Sequence, residues 1–306
     1  MSVTESTPVL RDERRELASL TVRAHTATGR YAAAAVATIL VGLLAWSFAI
    51  NEAVGWADVR SYLFNPRILQ GVVVTIEITV VALAVGFSSG LLIALMRLSK
   101  SPVLRSIGVV WVWFFRAVPV LVVLIVANNL SLLYPDLGIG IPGGPMLFGI
   151  ETQSVITPFL AAVIAFGANE GAYDAEIFRS SIRSVPKGQS EAAQALGMSP
   201  RLSFVRIVLP QAMRVAVPPL SNNTINMLKG TSLVSYIGVA DLLYTSQSIY
   251  SQNFKVIPLL MVACLWYLAM VSVLTVGQSL LERRLLNGSR RSRGDLTLQK
   301  ELFNHG

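Results

Sequence analysis

Five charged side chains stand inside otherwise apolar stretches: Glu77, Arg116, Glu170, Asp174 and Lys229. A charge near the centre of a bilayer costs at least about 2.5–3.5 kcal/mol, so each needs a partner or a wet cavity. At about 1.5 Å per residue, Arg116 and Glu170 fall at similar depth, and Asp174 lies one turn from Glu170 on the same helix face. Glu77 and Lys229 both fall toward the opposite end of their stretches. The expected pairs are therefore Arg116 with Glu170 or Asp174, and Glu77 with Lys229. Asn222, Asn223 and Asn226 add amides, and Thr231 and Ser232 add hydroxyls. Such groups lining a path would hold the ammonium and carboxylate of a zwitterion. The same groups serve equally as ion pairs welding helices, as interhelical hydrogen bonds, or, for Thr231 and Ser232, as helix caps. Reaction chemistry is poorly provided for. His25 and His305 lie in the tails, and Cys264 is the lone cysteine, so there is neither a disulfide framework nor a thiol-ligated metal site.

The elements that must position these groups are membrane helices. The chain is 53% hydrophobic and 14% charged, with a mean hydropathy of +0.60, whereas a soluble domain carries about 25% charged residues. Residues 1–30 read as a polar tail. Residues 31–50 form an uncharged run long enough for about 30 Å of helix, longer than a signal peptide's apolar region. Further spans are expected at 71–96, at 107 to about 130, at 154 to about 178, at 215–228 and at 256–281. The fifth is interrupted by Pro218-Pro219 and is expected as a broken helix, with 231–248 partly re-entrant. Residues 131–153, with three prolines and five glycines, read as an irregular loop. Residues 286–306 read as a basic, disordered tail. Charge sets the orientation. With the amino terminus inside, cytoplasmic segments hold 20 of the 25 lysines and arginines, and external segments hold only Arg60, Arg67 and Lys255. The net charge of +8 is thus topological and does not point to nucleic acid.

Between two spans, residues 185–210 form a polar island. Pro186 and Gly188 stop the preceding helix, and Ser190 is expected to cap a new one with Glu191 in its first turn. Ala192, Ala193, Ala195 and Leu196 favour helix, and Gly197 stands where a left-handed residue closes one. Ser199-Pro200 is a second start, and Leu209-Pro210 a further break. Two short helices joined by a glycine elbow would form a rigid docking knob.

Glu191-Ala192-Ala193, then Gly197, then Ile207-x-Leu209-Pro210 resembles the EAA loop of bacterial ABC importer permeases. Glu176-Ile177-Phe178-Arg179, Val185-Pro186-Lys187-Gly188-Gln189, Leu209-Pro210-Gln211-Ala212 and Leu228–Leu233 resemble the polar amino-acid (histidine, glutamine, glutamate and arginine-type) group. Phe115-Arg116-Ala117-Val118-Pro119 matches that group's Phe-Arg-Gly-Thr-Pro signature in part, and Gly230 stands where the group usually has aspartate. The resemblance covers about residues 68–285. It implies an all-α polytopic protein of about six transmembrane helices: the five-helix type I permease core at 68–285, an extra span at 31–50, a cytoplasmic tail at 1–30 and another at 286–306.

The resemblance also implies a division of labour in the bacterial inner membrane, with both termini cytoplasmic. Glu191, Ala192, Ala193 and Gly197 would form the coupling helix that docks on a dimer of ATPase subunits. A second permease chain, identical or homologous, completes the path, and an extracytoplasmic binding protein delivers the amino acid. No Gly-x-x-x-x-Gly-Lys-Ser/Thr loop occurs, so ATP and magnesium belong to the ATPase partner, and this chain is no enzyme and carries no cofactor. A permease for another small polar solute, such as a sugar, phosphate or sulfonate, is the alternative.

Overall fold

The computed structural model describes residues 27–140 and 146–304. The chain divides into two compact units at Val54/Gly55. In the first, α1 (Ala27–Ala49) is the expected extra apolar helix, exposed from Gly29 onward; most of the 1–30 tail lies outside the described residues.

The second unit holds α2 (Trp56–Leu63), α3 (Pro66–Leu98), α4 (Pro102–Ala117), α5 (Val120–Asn128), β1 (Asp136–Gly140), β2 (Met146–Glu151), α6 (Pro158–Ser184), α7 (Lys187–Ala195), α8 (Leu209–Gly230), α9 (Leu242–Asn253) and α10 (Val256–Asn304). Its axle is α3, a helix of 33 residues started by Asn65, whose Oδ1 accepts the Arg67 N–H, with Pro66 in the first turn. Three apolar clusters follow one another along it. Ile68 and Val72 pack with Leu242, Leu259 and Val262. Ile78 and Ala82 pack with Leu124, Ala165 and Phe166, and Ile93 and Ala94 pack with Val112, Phe178 and Leu220.

Helices α3 and α6 run parallel and touch through glycines spaced four apart on each. A Cβ on Gly86 would lie 3.0 Å from Glu170 Cβ, one on Gly90 2.7 Å from Asp174 Cβ, and one on Gly167 2.6 Å from Val85 Cγ1. Gly171 faces Ser89 in the same seam. In lipid, where apolar burial does not drive helices together, such close backbone approach supplies the packing.

Three described helices (α1, α3 and Val256–Arg284 of α10) are long and apolar enough to cross a membrane, and α4 with α5 makes a fourth, bent by 100°. The single straight span expected at 107–130 is therefore corrected. Pro119 holds Val118 extended at φ −88°, ψ 129°, and the helix restarts at Val120. Helix α6 is 27 residues long but charged toward its end, and it is covered by α3, α5 and α8 rather than by lipid alone.

Three further expectations change. Pro218-Pro219 does not break α8, which runs unbroken from Leu209 to Gly230. Within 131–153, Asp136–Gly140 and Met146–Glu151 pair as antiparallel strands, Asp136 with Glu151 and Ile139 with Phe148. There Leu137 and Ile139 alternate with glycines, a period of two that suits a strand. The carboxy-terminal tail is not irregular: α10 continues to Asn304, through arginine, leucine, glutamine and lysine, which favour helix. Residues 231–248 form a 3₁₀ segment (Thr231–Ile237), a left-handed Gly238 at φ +78°, and the start of α9, capped by Asp241, whose Oδ1 accepts the Tyr244 N–H at 2.8 Å.

Candidate functional site: a coupling knob and a buried acidic seam

The parallel course of α3 and α6 brings Arg97 beside Glu176 at their carboxy-terminal ends, and the chain leaves that end directly into α7. Helix α6 stops at Ser184 because Pro186 follows an extended Val185. Helix α7 begins earlier than expected, at Lys187, so Ser190 is not its cap but lies inside it, donating from Oγ to the Lys187 carbonyl at 2.8 Å. Pro186 occupies the cap position, where a missing N–H costs nothing.

The other end of α7 is as expected. Gly197 has φ +82°. Its N–H donates to the Gln194 carbonyl at 2.9 Å, and the Met198 N–H donates to the Ala193 carbonyl at 3.1 Å. These two bonds are a Schellman closure. Ser199 then caps the next turn, its Oγ accepting the Leu202 N–H at 3.3 Å, with Pro200 first in the helix. The expected stop at Leu209-Pro210 does not occur. A π-helical turn, Phe204–Val208, takes up the proline that lacks an N–H, and the Gln211 side chain donates to the Ile207 carbonyl at 2.9 Å. The elbow thus joins α7 to a long helical arm that leads into the bundle.

Ala193 is buried against that arm, whereas Glu191, Ala192 and Gly197 are exposed. Leu196 is 84% exposed, an apolar tip that sequence reasoning had counted only as a helix former. Above the knob, Glu176 bridges Arg97 of α3 and Arg179, three residues along α6. The i, i+3 spacing of Glu176 and Arg179 was visible in the sequence; Arg97 was not.

Near the middle of α6, Glu170 and Asp174 are both buried. Asn223 of α8 donates from Nδ2 to Asp174 Oδ1 at 3.3 Å. Glu170 Oε1 and Asp174 Oδ2 are buried acceptors without a partner among the described residues. Neither expected charge pair forms. Arg116 stands exposed in the last turn of α4, at the bend, with its guanidinium carbon 5.1 Å from the Tyr173 ring centre. Its contact is thus with the residue before Asp174 and not with either acid. Glu77 and Lys229 are both exposed and make no ion pair among the described residues. Asn222 and Asn226, one residue before and three residues after Asn223, are exposed. Thr231 and Ser232 do not cap the 3₁₀ segment; their hydroxyls donate back to the Leu228 and Lys229 carbonyls at 2.7 and 2.9 Å.

The sequence matches the family described as the binding-protein-dependent transport system inner membrane component over residues 86–287. The chain belongs to that family. Within it, this permease stands with the amino-acid group. It is 43% identical over 269 residues to an arginine transport system permease of Corynebacterium glutamicum, covering 86% of this chain and 82% of the relative. It is 36% identical over 237 residues to an L-cystine transport system permease of Bacillus subtilis, covering 77% and 93%. The crystal structure of an amino acid ABC transporter with histidines superposes with a TM-score of 0.61 at 31% identity, over 72% of this chain and 95% of that one. A methionine ABC transporter, at 18% identity and a TM-score of 0.55 over 71% and 95%, shares the fold. The permease has the type I ABC importer fold.

Proposed function

We propose that this permease is the translocation subunit of an ATP-driven importer that moves a polar amino acid delivered by an extracytoplasmic binding protein. The observation that carries the reading is the α7–Gly197 knob, rigidly closed and exposed at the end of the bundle where α3 and α6 are clamped together by Glu176. A separate pair of ATPase chains docks there from the cytoplasm, and a second permease chain completes the path. Both termini lie inside, and six spans cross the membrane, with α6 and α8 sheltered from lipid by their neighbours. Glu170 and Asp174, with two unmet acceptor oxygens between α3, α6 and α8, are suited to a substrate ammonium or guanidinium. Asn222, Asn226, Lys229, Thr231, Ser232, Glu77 and Arg116 line the remainder of the route. Relatives named for arginine and cystine both handle polar amino acids, which supports the class.

The test is reconstitution with the partner ATPase and binding protein, followed by uptake of labelled arginine, glutamine and cystine, with a sugar and phosphate as contrasts. ATP-dependent uptake of an amino acid is expected. Uptake of the sugar or phosphate instead, or of no solute, would overturn the proposal.

A further inference from the structure

A cavity of about 160 Å³ opens between the first turns of α3 and the body of α9. Because α3 runs parallel to α6, and α6 ends at the coupling knob, this cavity lies at the opposite end of the bundle. Arg67, Val74, Ala240 and Thr245 are among its lining, Arg67 and Ala240 exposed and Val74 half-buried. From Arg67 to Val74 is seven residues, about 10 Å along the helix axis. Gln70, Tyr244 and Ser248 supply neutral hydrogen-bonding groups around the wall. Arg67 is the one charged residue of the lining.

The charge balance at this end is what gives the cavity a chemistry. Lys255, the residue before α10, is satisfied by Asp58 at 2.6 Å, and that hydrogen bond holds its ammonium above the usual lysine pKa. Arg67 has no carboxylate within ion-pair reach among the described residues. Its side-chain bond there is one donation from Nη2 to Ser248 Oγ at 3.2 Å. A guanidinium carries five N–H donors in a planar fork matched to two carboxylate oxygens. Ser248 takes one of these donors, and the exposed guanidinium keeps the others beside the cavity without an ion-pair partner among the described residues.

We propose that this cavity is an outer vestibule site that takes the carboxylate of the free amino acid through Arg67, before the solute reaches the buried acids of α6. Gln70, Tyr244 and Ser248 complete the carboxylate's hydrogen bonds. The volume sits below the roughly 300–1,000 Å³ of pockets that enclose a drug-sized ligand, and suits the common head group of an amino acid better than a whole varied side chain. The site would therefore select for the α-carboxylate and leave side-chain discrimination to the α6 seam. The inference rests on the amino-acid importer reading.

The experiment uses the full complex with Cys264→Ser and Ala240→Cys, which places one small thiol in the cavity lining. Its modification by methyl methanethiosulfonate is followed by mass spectrometry with L-arginine or L-glutamine present, and with the corresponding amides, which lack the carboxylate. Saturating free acids are expected to slow modification about tenfold or more, and the amides far less, since a hydrogen-bonded charge contact of this kind changes occupancy by at least that factor. Arg67→Gln is expected to abolish the protection and Arg67→Lys to retain part of it. The comparison of acid with amide needs no change at Arg67, so it stands even where Arg67→Gln fails to assemble. Equal protection by acids and amides, or none by either, would overturn the site. Protection given only by the binding protein, with or without amino acid, would overturn it in favour of a protein contact. Uptake measured on the same preparation separates the two levels. Normal uptake without protection removes this site alone, and no amino-acid uptake removes the importer reading beneath it.

Discussion

The sharpest consequence of the coupling knob concerns Gly197. At φ +82° the backbone is in the left-handed region, where an L-residue costs roughly 1–2 kcal/mol and a β-branched one more. A Cβ there would meet nothing within 4 Å, so no packing term adds to or offsets this cost. Gly197→Ala should shift the elbow toward its open form by a factor of about 5–30, and Gly197→Val further. Relaxing to negative φ breaks the closing bonds from Met198 to Ala193 and from Gly197 to Gln194, and it swings α7 away from the helical arm. Gly188, in the same loop, also has open space around it but lies within helix α7 at ordinary φ, so Gly188→Ala should be harmless. Asparagine is larger than alanine yet tolerates left-handed φ. Conformation therefore ranks the variants Gly, Asn, Ala, Val in falling activity, whereas a clash with the ATPase would rank asparagine below alanine. The assay is stimulation of ATPase activity by loaded binding protein in proteoliposomes, with uptake in parallel. Wild-type behaviour of Gly197→Val, or asparagine falling below alanine, would refute the elbow as the working part.

Glu191 lies midway along α7 rather than in the first turn expected of it, on the exposed face, and Glu191→Lys reverses the charge presented there; normal insertion with at least tenfold lower stimulated ATPase activity is expected, and full stimulation would count against this face as the dock. Gly90→Val places a Cβ about where Asp174 Cβ already sits, 2.7 Å away, and overpacking of this kind costs about 1–3 kcal/mol; a lowered melting temperature of the purified permease checks it, and an unchanged value would contradict the close α3–α6 seam. Because Glu77 and Lys229 form no ion pair with each other, the losses in uptake from Glu77→Gln and Lys229→Met should add to within about 0.5 kcal/mol in a double-mutant cycle; strong coupling would show that they meet, across the permease pair or in another conformation.

The contrast between Gly197 and the buried charges shows where sequence reasoning reaches and where it stops. The elbow, the Ser199 cap and Pro200 behind it depend on bonds that close within five residues and on each residue's own φ preference, so the order of residues alone specifies them. The placement of apolar segments followed in the same way from length and hydropathy. Local rules also misled where a neighbour could absorb the defect. Pro210 reads as a break, but a π turn widened to receive it, and Pro218-Pro219 is carried through inside α8. Which charges meet is another matter. Arg97 reaches Glu176 across 79 positions, and Asn223 reaches Asp174 across 49. Those contacts depend on the rotation and tilt of each helix. A nearly uniform apolar surface leaves both unspecified in the sequence, since almost every face is fit for burial. The rotation is set in the folded bundle by how closely Gly86 and Gly90 can approach Gly167 and Gly171. The same rotations leave Arg116 at the surface over Tyr173 while Glu170 and Asp174 stay buried.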